Sequence, residues 1–184
     1  NDNGISYTGI TANPHRFTGL LAGDYDIIVR DGNGCTSNPS TETISEPLAL
    51  SISDVSITDV LCKGESTGEI TITAADGTAP LEYSIDDGTS YLSNGGNFTG
   101  LAADDYNVWV RDANGCELEW GGNPVTIDEP LTALTIDDET YTDITCYGDD
   151  DGSITITASG GTGAIEFSVD DGSSWAAGVS PYEF

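Results

Sequence analysis

Apolar and polar residues alternate in short runs along this chain. In Glu69-Ile-Thr-Ile-Thr-Ala74, Ile70, Ile72 and Ala74 fall on one side and the threonines on the other. That is the period-two pattern of a strand with one buried face. Leu81, Tyr83 and Ile85 repeat the pattern, as do Tyr106, Val108 and Val110. Residues 49–61 alternate as an opening strand. Short strands are predicted near Tyr91 and Phe98, and a last one from Cys116 to about Ile127. Asp-Gly and Asn-Gly turn signals separate these runs. About seven strands punctuated in this way predict an immunoglobulin-like β-sandwich.

The pattern is also periodic over a longer distance. Asp2-Asn3-Gly4, Asp86-Asp87-Gly88 and Asp170-Asp171-Gly172 lie 84 residues apart, each followed three residues later by an aromatic: Tyr7, Tyr91 and Trp175. Cys62 and Cys146 share that spacing, and each opens a Cys-x-Gly turn leading into a strand. Phe17-Thr-Gly-Leu20 through Asn33-Gly-Cys35 reappears as Phe98-Thr-Gly-Leu101 through Asn114-Gly-Cys116, and Glu46-Pro47 as Glu129-Pro130. The chain therefore reads as tandem repeats of about 83 residues: the second half of one (1–47), a complete one (48–130) and the first half of another (131–184). The half-repeats cannot bury their inner faces alone. Leu20 to Tyr25 and Leu101 to Tyr106 predict a tyrosine corner, a tyrosine hydroxyl bonded back to the chain just upstream. The two ends of the sequence have the look of cuts within an array.

Composition sharpens this picture. The chain has 23 Gly, 7 Pro and no Met, which suits short strands and tight turns. It carries 32 acidic residues against 4 basic ones, a net charge of −28. Nucleic-acid binding is excluded, because phosphate recognition depends on Lys and Arg. Attachment to anionic membrane surfaces fails for the same reason, and no apolar run reaches membrane-spanning length. The acidity reads either as a solvated, aggregation-resistant surface or as a source of oxygen ligands for a divalent cation.

The joint pattern of Cys62/Gly64/Gly68/Ile70 with Tyr106/Val108/Val110/Asp112/Gly115/Cys116 resembles the SprB-type repeat, a family named for a gliding-motility adhesin of Bacteroidetes. Cys146/Gly148/Gly152/Ile154 carry its first half and Tyr25/Ile27/Val29/Asp31/Gly34/Cys35 its second. Ala102-Ala103-Asp104 departs from the Ala-Gly usual in the family, which Ala22-Gly23 keeps. The resemblance implies long cell-surface or released proteins, exported by the type IX route and serving adhesion, gliding or filament formation.

Four cysteines in an extracellular chain point to disulfides, since no Cys-x-x-Cys is present and His15 is the lone histidine. Two connectivities are open. Cys62 could join Cys116 within the repeat, but in a sandwich their two turns lie at opposite ends. Disulfide geometry needs Cα atoms within about 7 Å, whereas a strand of five or six residues spans roughly 17–20 Å. The topology leans toward bonds between successive repeats, so that Cys35, Cys62, Cys116 and Cys146 would each find a partner in a neighbouring repeat.

Three further groupings could carry function. Asp24 and Glu46 of the first repeat could meet Asp76 and Asp112 of the second in a calcium site at the junction. The simpler reading is turn chemistry, because Asp, Asn and Gly tolerate positive φ. Asp149-Asp150-Asp151-Gly152 is loop-like, lacking the other ligand positions of an EF-hand. Trp109 and Arg111, with Trp120 on the neighbouring strand, could form a flat platform for a surface polysaccharide or a protein. Against that stand Ile28 at the Trp109 position of the first repeat and the absence of a counterpart to Trp120. Catalysis has no support: there is one histidine and no nucleophile arrangement. An isopeptide cross-link needs a core lysine, and the sole lysine, Lys63, sits in a turn. Asn97-Phe98-Thr99 is a sequon only by coincidence with the repeat consensus. The sequence thus predicts a structural or adhesive repeat segment of an extracellular stalk or fibre. Its partners would be adjacent repeats, or other copies by self-assembly and strand donation. A carbohydrate-binding module is the alternative.

Overall fold

The computed structural model describes residues 14–184, which are all-β and contain no helix. The Asp2-Asn3-Gly4 turn and Tyr7 lie outside the described residues. The chain divides into two compact units, residues 1–48 and 49–184. In the first, β1 (Gly23–Ile27) pairs antiparallel with β2 (Ser40–Ile44), placing Tyr25 opposite Glu42.

The second unit contains the intact repeat. β3 (Ser51–Thr58), β4 (Gly68–Ala75) and β6 (Asn97–Leu101) make one sheet. β5 (Glu82–Ser84), β8 (Trp109–Arg111) and β9 (Glu117–Glu119) make another, and β7 (Asp104–Tyr106) pairs with β10 (Val125–Ile127). Along β4 the alternation read from the sequence holds: Gly68, Ile70 and Ile72 are buried, while Glu69, Thr71 and Thr73 face solvent. Ile70 and Ile72 join Val60, Tyr83, Phe98, Val108, Val110 and Ile127 in one core. Burying each branched aliphatic side chain contributes about 2 kcal/mol, which makes this core the main source of stability.

Two glycines are demanded by close backbone approach. A Cβ on Gly68 would lie 2.8 Å from Ile127 Cγ2 and 2.9 Å from the Leu101 carbonyl oxygen. Gly96 has φ +84° and sits directly against the Ile72 carbonyl, where its own carbonyl accepts the Ile72 N–H at 2.8 Å.

The later strands differ from the expectation. Tyr106, Val108 and Val110 do point inward in turn, but the strand breaks between β7 and β8. The single strand predicted from Cys116 to Ile127 is likewise two, β9 pairing with β8 and β10 with β7. Gly121-Gly-Asn-Pro124 supplies the reason: two glycines weaken extended structure, and proline cannot donate to a ladder. The Asn123 carboxamide fills the gap, accepting the Val108 N–H at 2.8 Å and donating to the Val108 carbonyl at 3.0 Å. The short strand predicted near Tyr91 is a single bridge between Tyr83 and Leu92.

Residues 131–184 repeat the first half of this plan. β11 (Thr135–Thr142), β12 (Ser153–Ser159) and β15 (Tyr182–Glu183) form a sheet, and β13 (Glu166–Phe167) pairs with β14 (Ala176–Ala177). Even the irregularity recurs, between Ile52 and Asp54 and again between Ile136 and Asp138. In the flanking segments some inward positions stay open, although Phe167 and Ala158 are buried. Ile70 is 0% exposed and its counterpart Ile154 41%; Val110 is 0% exposed and its counterpart Val29 65%.

Candidate functional sites at the poles and on the outer face

The intact repeat begins at one end and finishes at the other, and each end is a built structure. At the starting pole the Asp112 carboxylate, itself buried, organises Asp112-Ala-Asn-Gly-Cys116. Its Oδ1 accepts the N–H groups of Asn114 and Cys116, and its Oδ2 that of Thr78, each at 2.9 Å. These donors, the Cys116 N–H foremost, hold its carboxyl below the usual carboxylate range. The Asp76-Gly77 turn, with Asp76 at φ +63°, packs here too: a Cβ on Gly77 would meet Asp112 Cβ and Leu50 Cδ1, each at 3.2 Å. The same loop recurs in the first unit, where Asp31 Oδ1 accepts from Asn33 and Cys35 at 2.9 and 2.8 Å. The Asn-Gly-Cys motif is thus a carboxylate-nucleated turn that leaves its cysteine exposed.

At the finishing pole, Glu129 closes the Cys62-Lys63-Gly64 turn. Its Oε1 pairs with Lys63 Nζ at 2.8 Å and its Oε2 accepts the Gly64 N–H at 2.7 Å. The lysine, and after it the Gly64 N–H, holds the Glu129 carboxyl low. Val60 N–H donates to the Asp128 carbonyl at 2.9 Å, pinning the end of the repeat to the end of β3. In residues 131–184, Asp151 serves the turn after Cys146, accepting the Thr145 N–H at 3.0 Å and its hydroxyl at 2.5 Å. Asp151 is therefore part of a turn, and Tyr147 stands where Lys63 does.

Of the four residues considered for calcium, Asp76 and Asp112 come to one pole. Asp24 and Glu46 belong to the other compact unit, where Asp24 Oδ1 accepts the Thr43 hydroxyl at 2.6 Å. Among the described residues no three His, Cys, Asp or Glu side chains are gathered to hold a metal ion. Cys62 and Cys116 sit at opposite poles, and all four cysteines are exposed thiols.

On the outer face, Trp109 and Arg111 share one side of β8 while Val110 is buried beneath them. Arg111 Nη2 meets Glu82 Oε2 at 2.6 Å, and its guanidinium carbon lies 4.1 Å from the Tyr91 ring centre. Trp109 Nε1 donates to Asp87 Oδ1 at 3.1 Å. The Tyr91 hydroxyl is buried beside Gly88 and pushed up in pKa, by burial first and then by the Glu117 charge. Polar groups of this face are therefore largely engaged with one another. Trp120 is not part of it. The cross-strand partner of Trp109 is Glu119, so Trp120 takes the opposite parity and packs against the core. The structure does not bring the two tryptophans together.

One motif escaped the sequence reading. Ser84 is buried beneath the Asp86-Asp87-Gly88 turn, donating to Asp86 Oδ1 at 2.6 Å and accepting the Gly88 N–H at 3.1 Å. Ser90 bonds the same carboxylate through hydroxyl and N–H. Ser84 and then Ser90 lower the Asp86 pKa to about 2. Ser168, Asp170 and Ser174 repeat the arrangement, and Asp170 also lies at about 2, held chiefly by Ser174. The signal was present as Ser-x-Asp-Asp-Gly-x-Ser in both copies. The tyrosine corner is present twice, Tyr25 Oη donating to the Leu21 carbonyl at 2.8 Å and Tyr106 Oη to the Ala102 carbonyl at 3.1 Å.

Comparison with known families accords with this architecture. The SprB repeat model matches residues 55–90 and 139–174, two segments whose starts lie 84 residues apart. SprB repeats are structural repeat segments of cell-surface proteins. No curated protein and no solved structure matches the chain.

Proposed function

We propose that this chain, which carries the SprB repeat at residues 55–90 and again at 139–174, is a length of stalk or fibre from an extracellular adhesin. The observation that carries the reading is the polarity of the intact repeat. Leu50 and Asp112 both lie against Gly77 at one pole, and Glu129 is clamped to Lys63 and Gly64 at the other. β3 runs between them, and eight residues of antiparallel strand span about 27 Å. A module that the chain enters at one pole and leaves at the other adds length with each copy, which is what a spacer requires. Its role is mechanical. The high negative charge keeps neighbouring stalks apart and guards open strand edges against stray pairing. In this reading the exposed cysteines would staple successive repeats to one another after export by the type IX route.

Electron micrographs of the native parent protein test the reading. An extended thread whose contour length grows by about 30 Å per repeat is expected, given the strand rise. Compact particles, or binding across polysaccharides that is lost on Trp109→Ala, would instead favour a carbohydrate-binding module.

A further inference from the structure

We infer that Glu129, Lys63 and the backbone of residues 59–64 form a mechanical latch, by which tension along the chain crosses the intact repeat without passing through its core. The latch rests on the stalk reading, since only a module under tension needs one. Tension enters the repeat at Leu50, just before β3, and leaves it at Glu129, just beyond β10. β3 runs from the starting pole to the finishing pole, and β10 lies beside it. β10 runs the same way, because its last residue, Ile127, packs against Gly68, which opens β4 next to the end of β3. Opposed pulls at Leu50 and Glu129 therefore drive β3 and residues 125–129 past each other along their length. Hydrogen bonds between strands lying side by side run across that direction, so they share the tension and must break together.

Four contacts oppose the slide, all of them made by residues 59–64. Val60 N–H donates to the Asp128 carbonyl, and Asp128 N–H to Asp59 Oδ1, each at 2.9 Å. Glu129 makes the other two, with Lys63 Nζ at 2.8 Å on one carboxylate oxygen and the Gly64 N–H at 2.7 Å on the other. The turn that carries Lys63 and Gly64 is itself braced and cannot simply follow the departing strand. Leu61 N–H donates to the Thr67 hydroxyl at 3.0 Å, and Glu65 N–H to the Cys62 carbonyl at 3.1 Å. Val60 and Ile127 belong to the core, so the bonds beside them are shielded from water on their inner side. The starting pole is built differently. There Asp112 ties Thr78 to Asn114 and Cys116, and none of these lies between the two pulled points.

Stability at rest and resistance to force are separate properties. An exposed ion pair adds little to the first. The second follows the unfolding rate, which responds to contacts that break before the transition state and not to those still intact there. Single-molecule pulling on the whole chain, held by tags at its two termini in reducing buffer, reads that rate at constant force. The intact repeat is recognised by a lengthening of about 250 Å, the extended length of residues 51–129 less their folded span. Glu129→Ala removes two of the four contacts and is expected to raise the rate about tenfold, and Lys63→Ala, which removes the ion pair alone, about threefold. Asp112→Ala should lower the urea midpoint more than either, yet change the rate under force less than about twofold. A rate unchanged in Lys63→Ala or in Glu129→Ala overturns the inference. So does a rate in Asp112→Ala raised as far as that in Glu129→Ala. Both of those results count against the latch alone, whereas compact particles in micrographs count against the stalk.

Discussion

Asp112 shows how much one side chain organises in this repeat. Its carboxylate accepts three backbone N–H groups from two separate turns, and it does so from a buried position. Asp112→Ala leaves those donors without their acceptor, and a loss of about 3 kcal/mol is expected in urea unfolding of the intact repeat. Carboxylates of this kind also set the response to acid. Asp86 and Asp170 titrate near 2 in the folded chain and Asp112 below its usual value, so protons bind the unfolded chain first. Their contribution is complete above about pH 5 and is lost as pH falls through 4 toward 2. A melting temperature that drops over that interval is expected, and Ser90→Ala should shrink the drop by weakening the hold on Asp86. The aspartates themselves were legible in the sequence as turn residues. Their partners were not, because Ser84 lies within an apolar alternation and reads there as an ordinary strand residue.

Among the elements, the early strands follow the hydrophobic pattern and the late ones only partly do. β4 places Ile70 and Ile72 inward as its alternation requires, since no competing interaction interrupts it. From Tyr106 onward the inward residues were correctly read, but Asn123 substitutes its carboxamide for ladder bonds and lets the chain change pairing partner. Periodicity carries no trace of such a side-chain substitute. The same limit explains Trp120: placing it beside Trp109 required a register across β8 and β9, which is set by cross-strand pairing and not by either strand's own sequence. The ends of β3 were better determined. With Cys62 at one pole and Cys116 at the other, about 27 Å of strand lies between groups that must approach within about 7 Å to bond. Peptide mapping without reduction is therefore expected to find no Cys62–Cys116 link within one copy. Finding that link in the folded chain would mean that the strand order is wrong.

At the scale of the whole molecule, residues 60–127 supply one closed core, and the strand order of residues 51–84 recurs over residues 135–167 at the 84-residue spacing read from the sequence. The fold adds what a finished repeat gains: a core in which Ile70, Val108 and Val110 are wholly buried, against open counterparts on either side. Stability should follow the same division, because amide protection reports how much packing must be undone to expose each bond. Hydrogen exchange on the dilute, monomeric chain measures this directly. The amides of Ile70, Ile72 and Val110 should exchange only on unfolding of the repeat, while those of Ile154, Ile156 and Val29 should exchange at least a hundredfold faster. Equal protection across the three segments would contradict the account.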